Sequence, residues 1–216
     1  MERRRTAILI SGRGSNMSAL AAAAMEPDYP AEISLVVSNR PDAAGLVRAR
    51  EMGIAIDVVD HKAFGDKAAF EAALTATLER AGTEIVCLAG FMRLLSEDFV
   101  HRWHDRLINI HPSLLPAFTG LNTHVRALDA GVKLHGCTVH YVRAAMDNGP
   151  IIGQAAVPVL PGDTPEALGD RVLAAEHQLY PRALALVARE EVRVVDELVR
   201  FSTPPAKPPG MLLSIG

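Results

Sequence analysis

A mostly parallel β-sheet with helices on both faces, extended by an antiparallel hairpin late in the chain, is the α/β fold class this sequence predicts. Three observations lead there. Short apolar runs alternate with helix-forming stretches through the first half of the chain. The runs are continuous rather than alternating, as strands buried on both faces require. After residue 130, two strand-like stretches meet across a turn with no helix between them.

The elements follow in order. Residues 7–10 are the first buried strand, bounded by Ser11-Gly12, and residues 16–25 are alanine-rich and helical by propensity, closed by Pro27 and Pro30. Residues 33–37 form a second strand, residues 43–52 a helix stopped at Gly53, and residues 54–59 a third strand. Asp66 caps a helix over Lys67–Arg80, and residues 84–89 are the fourth strand. Ser96 followed by two acids starts a short helix to Trp103, and residues 107–110 are the fifth strand. A helix over residues 123–130 precedes two hairpin strands, residues 134–142 and 151–159. Thr164-Pro165-Glu166 then opens a long helix with Leu168, Val172, Ala175 and Leu179 as its inward stripe. Pro181 is expected to kink or restart that helix, and Val192–Val195 is a last short strand. The arrangement is Rossmann-like, a single domain over residues 1–202, with residues 203–216 a proline-rich tail.

Composition narrows the function. Of 216 residues, 49% are hydrophobic and 22% charged, the balance of a soluble globular domain. A net charge of −3 and 5% aromatic residues give neither the electrostatics nor the stacking platform of a nucleic-acid binder. Cys87 and Cys137 sit in strand contexts and read as buried thiols in a reducing cytoplasm. Arg3-Arg4-Arg5 precedes an apolar run too short for a signal peptide, and no apolar segment approaches a membrane span.

Ligands of such sheets bind beyond the carboxyl ends of the strands, which gathers three segments on one rim. Gly12-Arg13-Gly14-Ser15-Asn16 links the first strand to the first helix. Glycines there let backbone N–H groups approach an anion, although the same pattern also makes a tight turn capped by Ser15 or Asn16. A dinucleotide fingerprint would want glycine where Met17 stands, and no Walker lysine is present, so the anion expected is a single phosphate. Gly90-Phe91-Met92-Arg93 follows the fourth strand. Asn109 and His111, two residues apart, share one face of the fifth strand before Pro112 and Pro116 stop regular structure.

The pair suits an oxyanion donor and a general acid–base, but taken alone it suits a hydrogen-bonded turn with an ordinary histidine better. Asp147, in the turn with Asn148-Gly149-Pro150, is either solvated or a carboxylate that reaches His111 and favours its imidazolium; spacing leaves that contact open. His61, His101, His104, His124, His135, His140 and His177 make no metal-ligand pattern, and His140, alternating with Tyr141 on the hairpin strand, reads as a packed strand residue or as one lining the site. Glu97-Asp98 and Glu190-Glu191 read as solvated acids.

In combination, Gly12–Asn16, Ala89-Gly90-Phe91-Met92-Arg93, Asn109-Ile110-His111-Pro112-Ser113-Leu114-Leu115-Pro116 and Asp147-Asn148-Gly149-Pro150 resemble the phosphoribosylglycinamide (glycinamide ribonucleotide) formyltransferases of purine biosynthesis, over nearly the whole chain. The resemblance implies formyl transfer from 10-formyltetrahydrofolate, a co-substrate, to the amine of glycinamide ribonucleotide, with no metal. It implies that Asn109, His111 and Asp147 are catalytic, and that Gly14, Ser15, Asn16 and Glu176 hold the phosphate and ribose. By the same resemblance Met92, Arg93, Leu94, Leu95 and Asn109 hold the folate, with Lys67 near its glutamate tail where the family often has arginine. Asn122 stands where many members carry a histidine.

Other readings are a formyltetrahydrofolate hydrolase, the core of a methionyl-tRNA formyltransferase, and a non-catalytic folate or nucleotide module. The first expects a preceding regulatory domain, the second a basic C-terminal domain, and the third has no need of Asn109, His111 and Asp147 together. Small-molecule partners are expected, in a monomer or homodimer.

Overall fold

The computed structural model describes residues 2–203; all of the expected tail except Thr203 lies outside the described residues. Five strands run parallel: β1 (Arg4–Ile10), β2 (Ala31–Ser38), β3 (Ile56–Val58), β4 (Ile85–Leu88) and β5 (Leu107–His111). Two more, β6 (Leu134–Tyr141) and β7 (Ile151–Pro158), pair antiparallel beside β5. The sheet order is β3-β2-β1-β4-β5-β6-β7, so the expected mostly parallel sheet with a late hairpin is what forms.

Alternation along the central strands divides the core. Ile8 and Ile10 of β1, with Ile85 and Cys87 of β4, face α1 (Ser15–Ala24), α2 (Ala44–Glu51) and the C-terminal half of α6 (Pro165–Ala188). Ala7, Leu9, Val86 and Leu88 face the other way, onto α3 (Lys67–Arg80) and α4 (Glu97–Arg102). Each large side chain so buried contributes about 1.5–3 kcal/mol. A third cluster joins α5 (Thr123–Asp129) to β6, β7 and the start of α6. Cys87 and Cys137 are buried, unpaired thiols, each pushed up to about 12 by burial. No helix among the described residues is long and apolar enough to cross a membrane.

Three elements depart from expectation. The helix runs through Pro181 without restarting. Tyr180, Ala183, Leu184 and Val187 are buried around the proline, and that packing outweighs one lost helix bond. The buried stripe of α6 is Leu168, Val172, Glu176, Tyr180 and Leu184, with Ala175 and Leu179 at its margin, so an acid occupies a core position. Finally Val192–Val195 (β8) pairs with an unforeseen Leu198–Phe201 (β9). Its two-residue turn puts Asp196 and Glu197 at φ 52° and 55°, the conformation of a primed turn without the usual Asn-Gly signature.

Strand order reverses between β1 and β4, the place where sheets of this kind open a crevice. The Tyr180 hydroxyl, shared between the carbonyls of Leu88 and Ile108 at 3.0 and 3.1 Å, ties α6 to the ends of β4 and β5 beside that crevice. Tyr180→Phe is expected to lower unfolding free energy by about 1 kcal/mol in urea titration, the usual scale of one buried hydrogen bond.

Candidate active site

A cleft of about 1220 Å³ opens at the carboxyl ends of β1, β4 and β5. At one end α1 starts at Ser15, with no side chain capping its first turn. Unpaired N–H groups and the positive end of the helix dipole therefore face the cleft, a physical basis for holding an anion. Ser15 and Asn16 line it, whereas Gly14 does not. Gly14 has φ 71°, and a Cβ there would sit 2.8 Å from the Gly45 Cα. The glycine is thus required by the packing of this loop on α2. Asn16 Nδ2 donates to Glu176 Oε2 at 2.7 Å. Burial pushes the Glu176 carboxyl above its usual range, while the bond from Asn16 opposes that shift.

The opposite wall is the loop after β4. Met92, Arg93, Leu94 and Leu95 all line the cleft, and Met92 and Leu94 leave 63% and 70% of their surface bare. Apolar area of that size facing a cleft suits a flat, largely apolar ligand. Ser11 stitches the two walls together: its N–H donates to the Gly90 carbonyl at 3.1 Å, and its hydroxyl accepts from the Met92 N–H at 2.8 Å. Lys67 is not a lining residue. Its Nζ lies 3.9 Å from Glu71 Oε1, which accepts from the Ser96 N–H at 2.8 Å, so it stands behind the far end of this loop.

Between the walls lies the polar centre. Asn109 and His111 project together from β5, as their spacing predicts. His111 Nε2 donates to the Phe118 carbonyl at 3.0 Å, and Nδ1 lies 3.5 Å from Asp147 Oδ2. Each ring nitrogen thus has an acceptor within reach, an environment matched to a doubly protonated imidazole. The 3.5 Å separation is an ion-pair distance that ligand binding can shorten.

Asp147 is fixed in turn, since Oδ2 accepts from the Gly120 N–H at 2.8 Å. Its Asp-Asn-Gly turn has a steric reason. A Cβ at Gly149 would meet the Tyr141 carbonyl oxygen at 1.7 Å, so only glycine lets this loop close on β6. The contact between Asp147 and His111 that spacing left open is therefore present.

Around this centre, Thr138 and Gln154 carry roles that the sequence does not signal. Thr138, opposite His111 on β6, donates to the Ser113 carbonyl and accepts from the Leu115 N–H and Gln154 Nε2. Gln154 also holds the Leu115 carbonyl, so two side chains clamp the proline-bounded loop. His140, for which packing and lining the site were both open, lies in the cleft wall with Nε2 3.2 Å from Asn109 Nδ2. Asn122 is the left-handed residue (φ 56°) that begins α5, and it too lines the cleft. His124 and His135 bond ring to ring at 3.2 Å beneath the loop, with Phe118 edge-on to His135. Among the described residues no group of three or more His, Cys, Asp or Glu could hold a metal ion.

Residues 4–184 match the formyl transferase family. The trifunctional purine biosynthetic protein adenosine-3 of Bos taurus is 52% identical over 190 residues, 88% of this chain but 19% of that protein. The chain therefore spans about a fifth of the length of such trifunctional relatives. The phosphoribosylglycinamide formyltransferase of Escherichia coli (strain K12) is 42% identical over 181 residues, covering 84% of this chain and 85% of that enzyme. Among solved structures, glycinamide ribonucleotide transformylase 1 from Symbiobacterium toebii superposes with TM-score 0.90 at 46% identity, covering 92% and 94% of the two chains.

Two outcomes follow from the geometry. Gly149→Ala is expected to cost about 1–3 kcal/mol of stability, the scale of overpacking, and to lower kcat through displacement of Asp147; urea titration and steady-state kinetics measure both. Burial, with His124 and His111 nearby, pushes His135 down from 6.5 to about 4. The unfolded chain takes up that proton at higher pH than the folded one, so stability is expected to fall as pH drops from 6.5 towards 4. His135→Gln should make that fall shallower in denaturation curves recorded across the window.

Proposed function

We infer, for a chain that belongs to the formyl transferase family and within it to the phosphoribosylglycinamide formyltransferases, that it moves a formyl group from 10-formyltetrahydrofolate to the amine of glycinamide ribonucleotide. The observation that carries the reading is Asn109, His111 and Asp147 converging midway between an uncapped helix start and a bare apolar wall.

The two ends match the two substrates. The phosphate of glycinamide ribonucleotide sits against the N–H groups around Ser15 and Asn16, with Glu176 accepting from its ribose hydroxyls. Gly14 serves by shaping that turn. The pterin of the folate lies along Met92, Arg93, Leu94 and Leu95 and reaches Asn109. Lys67, set back from the cleft, meets the glutamate tail beyond it, as a point charge without the bidentate fork of arginine.

The substrate amine is the nucleophile, so no serine or cysteine is required. Its nitrogen bonds to the formyl carbon, and the carbonyl electrons move onto oxygen, where the Asn109 N–H and the His111 imidazolium stabilise the developing charge. The intermediate collapses by breaking the bond to the folate nitrogen, which leaves with the electron pair. The attacking amine gives up one proton and the departing nitrogen gains one. Asp147, with His111, orders a water that carries it.

Asn109→Ala, His111→Ala and Asp147→Ala are each expected to lower kcat at least about a hundredfold, the scale of a lost oxyanion donor or acid–base group. Steady-state assays with purified protein and both substrates measure this. His111→Ala with near-normal kcat would remove the mechanism. Folate turnover without the ribonucleotide would indicate a hydrolase, and no turnover at all a binding module.

A further inference from the structure

An asparagine can turn either end of its amide towards a ligand, and only the nitrogen end stabilises an oxyanion. At Asn109 that choice is made by a neighbour. His140 stands directly opposite Asn109 in the β5–β6 pairing and is 2% exposed. Its two ring nitrogens have unlike partners. Nδ1 lies 2.9 Å from the Tyr141 carbonyl oxygen. A carbonyl only accepts, so Nδ1 carries the hydrogen, and in the neutral ring Nε2 is then a bare acceptor.

The atom 3.2 Å from Nε2 is Asn109 Nδ2. The opposite amide orientation would set the lone pairs of Oδ1 and Nε2 against each other. Tyr141 is held by its own N–H, which donates to the Pro150 carbonyl at 2.9 Å, so the carbonyl that fixes the tautomer belongs to an ordered hairpin. Burial favours the neutral ring, opposed by the bond to Tyr141 and by Asp147, and supported by His111.

We propose that His140 is a positioning residue. It accepts one Nδ2 hydrogen of Asn109 and thereby directs the second to the formyl oxygen, with Oδ1 turned away. The proposal rests on the formyl-transfer reading for what the amide does, but the hydrogen bond itself is independent of that reading.

Two measurements test it. In 15N-labelled wild-type protein, nuclear magnetic resonance is expected to show a trans-hydrogen-bond coupling between Asn109 Nδ2 and His140 Nε2, with Nδ1 carrying the hydrogen. His140→Leu, which keeps bulk but removes the acceptor, should lower kcat by about tenfold to a hundredfold, as misplaced catalytic groups do, with both KM values little changed. His140→Gln, which restores an acceptor oxygen near the Nε2 position, should recover most of that loss. A side chain that only packs would be replaced better by leucine than by glutamine. A hydrogen on Nε2 in the wild-type protein, or full kcat in His140→Leu, would overturn the proposal. If His140→Leu does not fold, the wild-type spectrum decides alone. Absence of formyl transfer by wild-type protein would end the reading of the reaction and leave the coupling as a separate result.

Discussion

The antiparallel register between β5 and β6 is the constraint on which the rest of the site depends. It sets Asn109 opposite His140 and His111 opposite Thr138. A slip of one residue would turn both polar side chains of β5 to the other face of the sheet. The same register brings Thr138 under the loop after β5, where its hydroxyl holds both the Ser113 carbonyl and the Leu115 N–H. The parallel half of the sheet supplies the crevice, and the antiparallel pair supplies the geometry inside it.

Around that centre the cleft is built from pieces that are incomplete alone. The start of α1 offers backbone donors without a capping side chain. The loop after β4 offers bare Met92 and Leu94 surface, with Arg93 between them. Ser11, through the Gly90 carbonyl and the Met92 N–H, keeps them in fixed relation. This suits a reaction between two bound molecules, where holding reactants in a near-attack arrangement supplies a large share of the available acceleration. On the proposed reading the chain needs few chemical groups: a donor for the oxygen, an imidazole and a carboxylate beside it. Phe118, Asn122 and Asp147, all with positive φ, cluster in the loops around those groups, local strain of the kind that collects at functional sites.

Much of the fold was legible because buried parallel strands and capped helices write their periods plainly into sequence. The hairpin of β8 and β9 was not, since Asp196-Glu197 lacks the glycine that usually marks such a turn. Local propensity marks Pro181 as a helix break, but the buried side chains on either side of it carry the helix through. In the site, Asn109 and His111 were visible as a same-face pair, yet Asp147 lies 36 residues beyond His111, and no spacing rule joins them. Thr138 and Gln154 were invisible for a related reason, as was the partner of His140: their roles come from strand register, which one sequence does not print. Glu176 did leave a signal, an acid in phase with Leu168, Val172 and Tyr180 on a helix whose other members are apolar. Gly14 was legible as necessary but for a different reason, since its missing Cβ makes room for Gly45.

On the proposed reading, the formyl group passes directly from folate to amine within this cleft, with no residue of the protein carrying it. A single-turnover experiment tests this most directly, with enzyme in excess over 10-formyltetrahydrofolate labelled in the formyl carbon, quenched in acid at intervals. For direct transfer, the label is expected to stay on the folate without ribonucleotide, and on its addition to move to the ribonucleotide with none on the protein at any time. Label bound to protein and then chased into ribonucleotide would contradict it, as would labelled formate released at the same rate with or without ribonucleotide.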